Sequence, residues 1–263
     1  MSVPSVADTI AARKAEGKGV LVAYLPAGFP STQKSIEAGV AALEAGADIL
    51  EFGVPYSDPV MDGVVIAEAT QKALESGFKL KELFPAIQAI TSRTGKPVLV
   101  MTYWNPVVQY GVARFAADLK AAGGAGLITP DLIPDEASEW MSVSDEHGLE
   151  RIFLGAPSST DQRLARAASD SRGFVYAVST MGITGTRDDV DSAAQTLVER
   201  LYAQGATQVC VGLGISQPHQ VRDVVSFADG AIVGSALVRA LGESGPAGVA
   251  TLVSQLAEGT QRE

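Results

Sequence analysis

The chain has few of the residues on which covalent cross-links, metal centres and membrane anchors depend. It contains one cysteine and two histidines among 263 residues, so it can form no disulfide framework and has little to offer a tightly bound transition metal. No uninterrupted apolar run reaches about 18 residues, and the first residues lack the apolar core of a signal peptide. These absences predict a cytoplasmic protein that does not enter a membrane.

Positive charge is scarce as well. Lys and Arg total 20 against 30 Asp and Glu, which gives a formal net charge of −10. Nucleic acids and anionic membrane surfaces are bound through clustered lysines and arginines, so the balance argues against both as partners. A phosphorylated small substrate remains compatible with it, because the N-terminus of a helix can bind phosphate without any lysine.

Apolar residues are abundant, at 46%, and they recur in a regular pattern. After a helical pattern at residues 5–16 come eight short apolar strands, each followed by a helical pattern. The predicted strands span residues 20–24, 49–52, 97–102, 126–128, 151–154, 174–178, 208–211 and 231–233. Short, continuously apolar strands that alternate with helices are typical of a parallel sheet covered on both faces.

Eight such units predict an α/β protein whose sheet closes into a (β/α)8 TIM barrel. The pattern adds an extra N-terminal helix and extra short helices in the loops. No linker or low-complexity segment divides the chain, so we expect residues 1–263 to form one domain. Active sites of such barrels lie at the carboxyl ends of the strands.

Residues 49–63 place carboxylates at one of these ends. The stretch reads Ile-Leu-Glu-Phe-Gly-Val-Pro-Tyr-Ser-Asp-Pro-Val-Met-Asp-Gly, an apolar strand that contains Glu51, followed by a loop with Asp58 and Asp62. A carboxylate in an apolar strand is costly unless it is paired, protonated or catalytic. Pairing with a hidden cation is one interpretation, and a magnesium site is another. The position at a barrel strand end favours acid–base chemistry by Glu51, whose proton affinity burial would raise.

Three glycine-rich segments follow the last three strands. They are residues 179–186, residues 212–216, and Gly234-Ser235 at the start of a helix. Glycine lets a backbone approach an anion closely, and a helix N-terminus offers free N–H groups. Ordinary turns and helix caps would also explain any one segment, but three at consecutive strand ends predict a phosphate site. Tyr176, on strand six, is expected to face the same region, and Cys210 is expected to be a buried structural thiol.

These motifs resemble those of one known family. Residues 50–63 resemble the signature of tryptophan synthase alpha subunits. Five further segments match that family in order along nearly the whole chain. They are residues 24–30, 101–106, 130–134, 182–185 and, after strands seven and eight, 212–216 with 234–235.

The resemblance implies a lyase reaction of tryptophan biosynthesis, the retro-aldol cleavage of indole-3-glycerol phosphate to indole and D-glyceraldehyde 3-phosphate. At the matching positions, Glu51 would be the acid–base group, Asp62 would bind the indole N–H, and Tyr176 would pack beside the reacting carbon. Thr184 would couple its loop to Asp62. The other implied substrate-binding residues are Tyr24, Met101, Tyr103, Leu127 and Phe153 around the indole, with Gly185, Gly212, Gly214, Gly234 and Ser235 in the phosphate segments.

The resemblance also implies a partner. Alpha subunits of this family pass indole to a beta subunit that carries pyridoxal phosphate, within an alpha-beta-beta-alpha complex. The alpha chain itself would need no cofactor and no metal. Asn105, Pro106 and Asp131, expected in loops on the same barrel face, are candidates for docking. Residues 180–190 would form a lid that excludes water.

Three positions depart from the family pattern. Val64 stands where proline is usual, Thr180-Met181 replace Arg-Ser, and Leu213 stands where an aromatic residue is frequent. None of them removes a catalytic residue. Two alternatives stay open: a stand-alone lyase of the same family that works without a beta subunit, and a non-catalytic barrel that binds a phosphorylated ligand or activates a partner. Intact Glu51 and Asp62 argue against the non-catalytic alternative.

Overall fold

The strands form one parallel sheet that closes on itself. A computed structural model describes residues 3–178, 187–212 and 214–262. Strand order round the sheet is β5-β4-β3-β2-β1-β9-β8-β7-β6. The bounds are β1 Val20–Pro26, β2 Ile49–Gly53, β3 Val98–Met101, β4 Gly126–Ile128, β5 Glu150–Ile152, β6 Leu154–Gly155, β7 Val175–Val178, β8 Val209–Gly212 and β9 Gly230–Val233.

The strands β5 and β6 are two halves of the fifth predicted strand. β5 pairs with β4, whereas β6 pairs with β7. Only Phe153 separates the two halves, so the chain itself joins the two ends of the sheet. The predicted (β/α)8 barrel is therefore confirmed, with eight strand positions in the predicted order.

Helices surround the barrel as predicted, with one addition. The bounds are α1 Val6–Ala15, α2 Thr32–Glu44, α3 Val64–Glu75, α4 Leu83–Thr94, α5 Trp104–Tyr110, α6 Val112–Ala121, α7 Ser138–His147, α8 Asp161–Asp170, α9 Arg187–Ala203, α10 Pro218–Phe227 and α11 Ser235–Ala257. Short 3-10 turns at Leu80–Glu82, Pro134–Glu136 and Glu258–Thr260 supply the expected extra short helices. No helix in these described ranges is long and apolar enough to cross a membrane.

Helix α5 was not predicted from the sequence, where Asn105-Pro106 indicated a loop. The structure corrects this, because both residues lie in the first turn of α5. The proline is tolerated there because the N–H groups of a first helical turn have no partner within the helix. Asp131 does lie outside the regular elements, and its carboxylate accepts hydrogen bonds from the Trp104 N–H at 2.9 and 3.1 Å.

Two apolar clusters divide the core. One lies between the sheet and the helices, and the other fills the barrel interior with one residue from nearly every strand, since alternate residues of a strand point to opposite faces. Helix α1 adds Val6 and Ile10 to the interior cluster. The other interior members are Val20, Val22, Ile49, Leu99, Ile128, Ile152, Phe174, Cys210 and Ile232. Cys210 is fully buried there, as the sequence predicted.

Helix α1 closes the amino-terminal end of the barrel and is tied to the strands there. The carboxylate of Glu150, at the start of β5, accepts hydrogen bonds from the N–H groups of Val6 and Ala7 at 2.7 and 2.9 Å. The amide of Gln208 donates to the Ala7 carbonyl at 3.0 Å. With this end closed, only the carboxyl ends of the strands leave the interior accessible.

We expect Ile10→Ala to lower the free energy of unfolding by about 2–5 kcal/mol, because it leaves a cavity in the barrel interior. Ile10 is 1% exposed. Urea unfolding monitored by circular dichroism measures the change. Ile133→Ala is the matched control, since the Ile133 side chain is 43% exposed and its truncation should cost little. Equal losses for the two variants would contradict the role of α1 as a packed closure.

Candidate active site

A cleft opens at the carboxyl ends of the strands, where the interior cluster stops. Its empty volume, which includes space open to solvent, is about 770 Å³. The lining residues are Tyr24, Glu51, Met61, Asp62, Ile66, Met101, Leu154, Tyr176, Val178, Gly212, Gly214, Ile232, Gly234 and Ser235. All three predicted catalytic residues are among them, together with six of the predicted substrate-binding residues.

Glu51 lies at the bottom of this cleft. Along β2 it alternates with Leu50 and Phe52, which pack toward the helices, so its own side chain points into the barrel. It is 1% exposed, and its Oε2 has no hydrogen-bond partner among the described residues. Burial, and secondly the charge of Asp62, raise the pKa of Glu51 from 4.5 to about 8. Its carboxyl group therefore keeps its proton at neutral pH.

Asp62 faces the cleft from the loop that follows β2. The Tyr103 hydroxyl donates a hydrogen bond to its Oδ1 at 3.1 Å. Burial raises the pKa of Asp62 above its ordinary value, and the bond from Tyr103 acts in the opposite direction. The two carboxyl groups thus differ: Glu51 has no polar partner among the described residues, whereas Asp62 has a donor that favours its charged form.

Two tyrosine rings form walls of the cleft, and each depends on a glycine. A Cβ on Gly53 would lie 2.4 Å from the Tyr24 hydroxyl, and one on Gly212 would lie 2.6 Å from the Tyr176 hydroxyl. Neither glycine could be replaced without moving a ring. Burial is the main cause that raises the pKa of both tyrosines well above 10. Both therefore remain uncharged, and they present flat, largely apolar surfaces to the cleft.

The far end of the cleft is suited to an anion. Gly234 precedes α11, and Ser235 is the first residue of that helix. The N–H groups of a first helical turn have no intrahelical partner, and the helix dipole places partial positive charge there. Gly212 and Gly214 face the same space, and Gly214 has a φ of 59°, a conformation that favours glycine. Thr184 and Gly185, also predicted for this site, lie outside the described residues, as do Leu213 and most of the predicted lid.

Leu127 and Phe153, expected in the indole pocket, do not line this cleft. Both are fully or nearly fully buried in the cluster between the sheet and the helices. Their chain neighbours Ile128 and Leu154 face the barrel interior instead. The error is one residue of strand register, which turns a side chain to the opposite face. Tyr103 is not a lining residue either, but its hydroxyl bonds to Asp62.

Sequence reasoning missed five lining residues. They are Met61, Ile66, Leu154, Val178 and Ile232. For those on strands, the alternation established by Glu51 and Tyr176 could have identified the inward positions. Ile66 lies on the first turn of α3, and the sequence carries no signal that this helix reaches over the cleft.

The described part of the chain contains no group of three or more His, Cys, Asp or Glu side chains suited to a metal ion. The donors that face the cleft are two carboxyl groups, two tyrosine hydroxyls and the polar groups of the glycine-rich end. The fold and this cleft together define a (β/α)8-barrel enzyme whose strand ends bring a buried carboxyl group, two tyrosine rings and a helix start into one cleft.

Comparisons with known proteins specify the family. The model of the family described as tryptophan synthase alpha chain matches residues 10–261. The chain is 61% identical over 257 residues to the tryptophan synthase alpha chain of Leifsonia xyli subsp. xyli, covering 98% of each chain. It is 52% identical over 256 residues to that of Nocardia farcinica, covering 97% and 96%.

Solved structures agree with this assignment. The chain is similar to a chain of tryptophan synthase from Mycobacterium tuberculosis, with a TM-score of 0.92, 50% identity and 98% coverage of both chains. It is also similar to a chain of the tryptophan synthase complex from Pyrococcus furiosus, with a TM-score of 0.83, 35% identity and coverage of 91% and 98%. The chain belongs to the tryptophan synthase alpha chain family.

The raised pKa of Glu51 predicts a pH-dependent stability. The folded chain binds this proton more tightly than the unfolded chain, so the group's contribution is complete below pH 4.5 and is lost as the pH rises through about 8. Glu51→Gln cannot ionise. Relative to the native chain, its free energy of unfolding should therefore rise by a few kcal/mol between about pH 5 and pH 8.5.

Urea unfolding at the two pH values measures this difference. Glu44→Gln, at the exposed end of α2, is the matched control and should show no such pH-dependent gain. A difference between Glu51→Gln and the native chain that stays constant with pH would contradict the raised pKa.

Proposed function

We propose that this chain is the alpha chain of a tryptophan synthase and cleaves indole-3-glycerol phosphate to indole and D-glyceraldehyde 3-phosphate. The observation that carries the proposal is the Glu51 carboxyl group, buried at the bottom of an apolar cleft where burial raises its pKa to about 8. An aryl glycerol phosphate needs a flat apolar pocket, a proton donor at the ring carbon and an anion site. The cleft offers these features between Tyr24, Glu51 and the start of α11.

In the proposed mechanism, Glu51 acts first as an acid. It donates its proton to the ring carbon that carries the glycerol side chain, and the ring becomes a cation with its positive charge on nitrogen. The resulting carboxylate then takes the proton of the hydroxyl on the adjacent side-chain carbon. As the aldehyde forms, the carbon–carbon bond breaks and its electron pair returns to the ring. Glu51 ends the cycle protonated, so a pKa near 8 suits both steps.

Asp62 would support the charge that forms on the ring. A carboxylate that accepts a hydrogen bond from the indole N–H is stabilised most when the nitrogen becomes positive, so it binds the transition state more tightly than the substrate. Its bond from the Tyr103 hydroxyl favours the ionised form that this role needs. Tyr176, on β7, would pack beside the reacting carbon. Thr184 would couple its loop to Asp62.

The phosphate would be held at the start of α11. Gly234 and Ser235 lie at the start of α11, where the first N–H groups have no partner within the helix and the helix dipole is positive. Gly214 faces them across the cleft, and Gly185 would complete the site. Binding of this remote group would position the ring against Glu51. A substrate that is already oriented loses less entropy in the reacting step, so the activation barrier is lower.

We propose a tryptophan synthase beta subunit as the partner, in an alpha-beta-beta-alpha complex in which pyridoxal phosphate belongs to the beta chain. The Pyrococcus furiosus relative is described as a complex. Among the described residues, four of the five exposed large apolar residues are Val60, Val64, Val108 and Ile133. They lie in α5, at the start of α3 and in loops after β2 and β4, near Asn105, Pro106 and Asp131. This part of the barrel's carboxyl-end face is the proposed docking surface.

The first test is cleavage of indole-3-glycerol phosphate by the purified chain, with and without a beta subunit. We expect weak activity alone, strong activation by the partner, and near-complete loss in Glu51→Gln while the ligand still binds. Removing the proposed proton donor at the ring carbon removes the first chemical step. Strong activity that the partner leaves unchanged would favour the stand-alone lyase. Ligand binding without activity under either condition would leave a non-catalytic barrel.

The docking surface is tested separately. Val108→Asp places a charge on a side chain that is 48% exposed in the free chain, so the fold should tolerate it. At the centre of a protein interface the same charge would be desolvated and unpaired, and we expect the affinity for the beta subunit to fall at least about tenfold. Isothermal titration calorimetry measures it. Ala11→Asp is the control, because Ala11 is exposed on α1 at the other end of the barrel. An equal loss of affinity in both variants would contradict the proposed docking surface.

A further inference from the structure

We propose that Tyr103 is a positioning residue: its hydroxyl group holds the loop segment 60–62 so that the Asp62 carboxylate is placed and ionised for the cleavage step. The inference deepens the proposed function and rests on it, because it assumes that Asp62 meets the ring nitrogen. Tyr103 was expected from the sequence to touch the indole. The structure instead places it behind Asp62, outside the residues that line the cleft.

One hydroxyl group makes three hydrogen bonds to three consecutive residues. It accepts from the N–H groups of Val60 and Met61 at 3.1 and 3.0 Å, and it donates to Oδ1 of Asp62 at 3.1 Å. A tyrosine hydroxyl has one donor and two acceptor positions. All of them are used on this segment, and the two N–H groups orient the hydroxyl so that its proton points to the carboxylate.

The segment has little else to hold it among the described residues. The Val60 side chain is 77% exposed and that of Met61 is 47% exposed, so neither is anchored in the core. Ser57 bonds only to its neighbour Asp58, at 2.5 Å. The described hydrogen bonds of Val60, Met61 and Asp62 to the rest of the chain all end at the Tyr103 hydroxyl. Its removal would therefore release both the backbone and the catalytic carboxylate.

Tyr103 is itself firmly placed. It is 5% exposed and caps the start of α5. Its ring packs against Tyr56 with the centroids 5.3 Å apart, and the Tyr56 hydroxyl accepts a hydrogen bond from the Asn105 amide at 3.2 Å. The next N–H, that of Trp104, is bonded to Asp131. A rigid helix start thus supports the hydroxyl on which the loop depends.

The same contact affects the charge of Asp62. Among the described residues, the titratable groups that face it are Glu51 from β2, Tyr24 from β1 and Tyr103 directly before α5. Carboxyl and phenol groups carry no positive charge in any protonation state, so none of the three stabilises the Asp62 carboxylate as a cation would. The hydrogen bond from Tyr103 is the interaction that lowers the pKa of Asp62 against burial. Without it, the neutral form of Asp62 would persist to higher pH.

Tyr103→Phe tests the inference, because it keeps the ring and its packing and removes only the hydroxyl. We expect kcat/KM for indole-3-glycerol phosphate to fall about 10- to 100-fold, as for other small losses of alignment at a reacting centre. We also expect the acidic limb of the kcat/KM–pH profile to move to higher pH. Binding of inorganic phosphate, at the opposite end of the cleft, should be unchanged and would show that the fold is intact.

Tyr110→Phe is the matched control. It removes another hydroxyl–carboxylate bond, from Tyr110 to Asp118 at 2.5 Å, away from the cleft, and should leave the profile in place. A Tyr103→Phe profile with an unmoved acidic limb would overturn the inference, whatever the rate. Asp62→Asn separates this from the proposed function: if that variant kept full activity, the role of Asp62 itself would be wrong. If Asp62→Asn lost its activity while Tyr103→Phe kept the native kcat/KM and pH profile, only the inference about Tyr103 would be rejected.

Discussion

The carboxyl group of Glu51 is removed from water without any charged or polar partner among the described residues, and the rest of the site depends on that condition. Aliphatic layers fill the barrel below it, and α1 closes the barrel's lower end. The side chain therefore cannot be reached by solvent from below, and burial rather than a nearby charge is the main reason that its pKa rises to about 8. A fold that closes a parallel sheet around one acidic side chain can hold that side chain in its protonated form at neutral pH.

The remaining features arrange a substrate against this acid. The tyrosine rings of Tyr24 and Tyr176 stand over glycines in the neighbouring strands and leave a flat apolar space between them. The start of α11 lines the same cleft with the positive end of its helix dipole, and Asp62 faces the space from a loop held by Tyr103. Each component differs in charge. Glu51 is a neutral acid, the walls formed by Tyr24 and Tyr176 are uncharged, Asp62 can ionise, and the start of α11 carries partial positive charge. In the proposed reaction, binding of the phosphate at the start of α11 would orient the ring for proton transfer.

Much of this architecture follows from patterns that the sequence displays directly. Eight apolar strands were sufficient to predict the barrel. Glu51 within one strand and Gly234-Ser235 before a helix were predicted to share a site and do line one cleft, because strand periodicity and glycine placement are local properties. Leu127 and Phe153 were misplaced because a three-residue strand contains too few alternations to define which side faces inward. Helix α5 was missed because a proline in a first helical turn looks like a loop. The bond between Tyr103 and Asp62 joins residues far apart in the chain, and only the folded structure brings them together.

The proposed reaction depends on Glu51 keeping its proton at neutral pH in the folded chain. Its direct test is carboxyl-carbon NMR titration of protein labelled with ¹³C at the glutamate side chains, compared with the Glu51→Gln variant to assign the resonance. We expect one glutamate resonance to titrate with a pKa of about 8 and to be absent from the Glu51→Gln spectrum. If every glutamate resonance titrated in the ordinary range, near 4.5, the buried acid would be a carboxylate at neutral pH. The proposed order of proton transfers would then be contradicted.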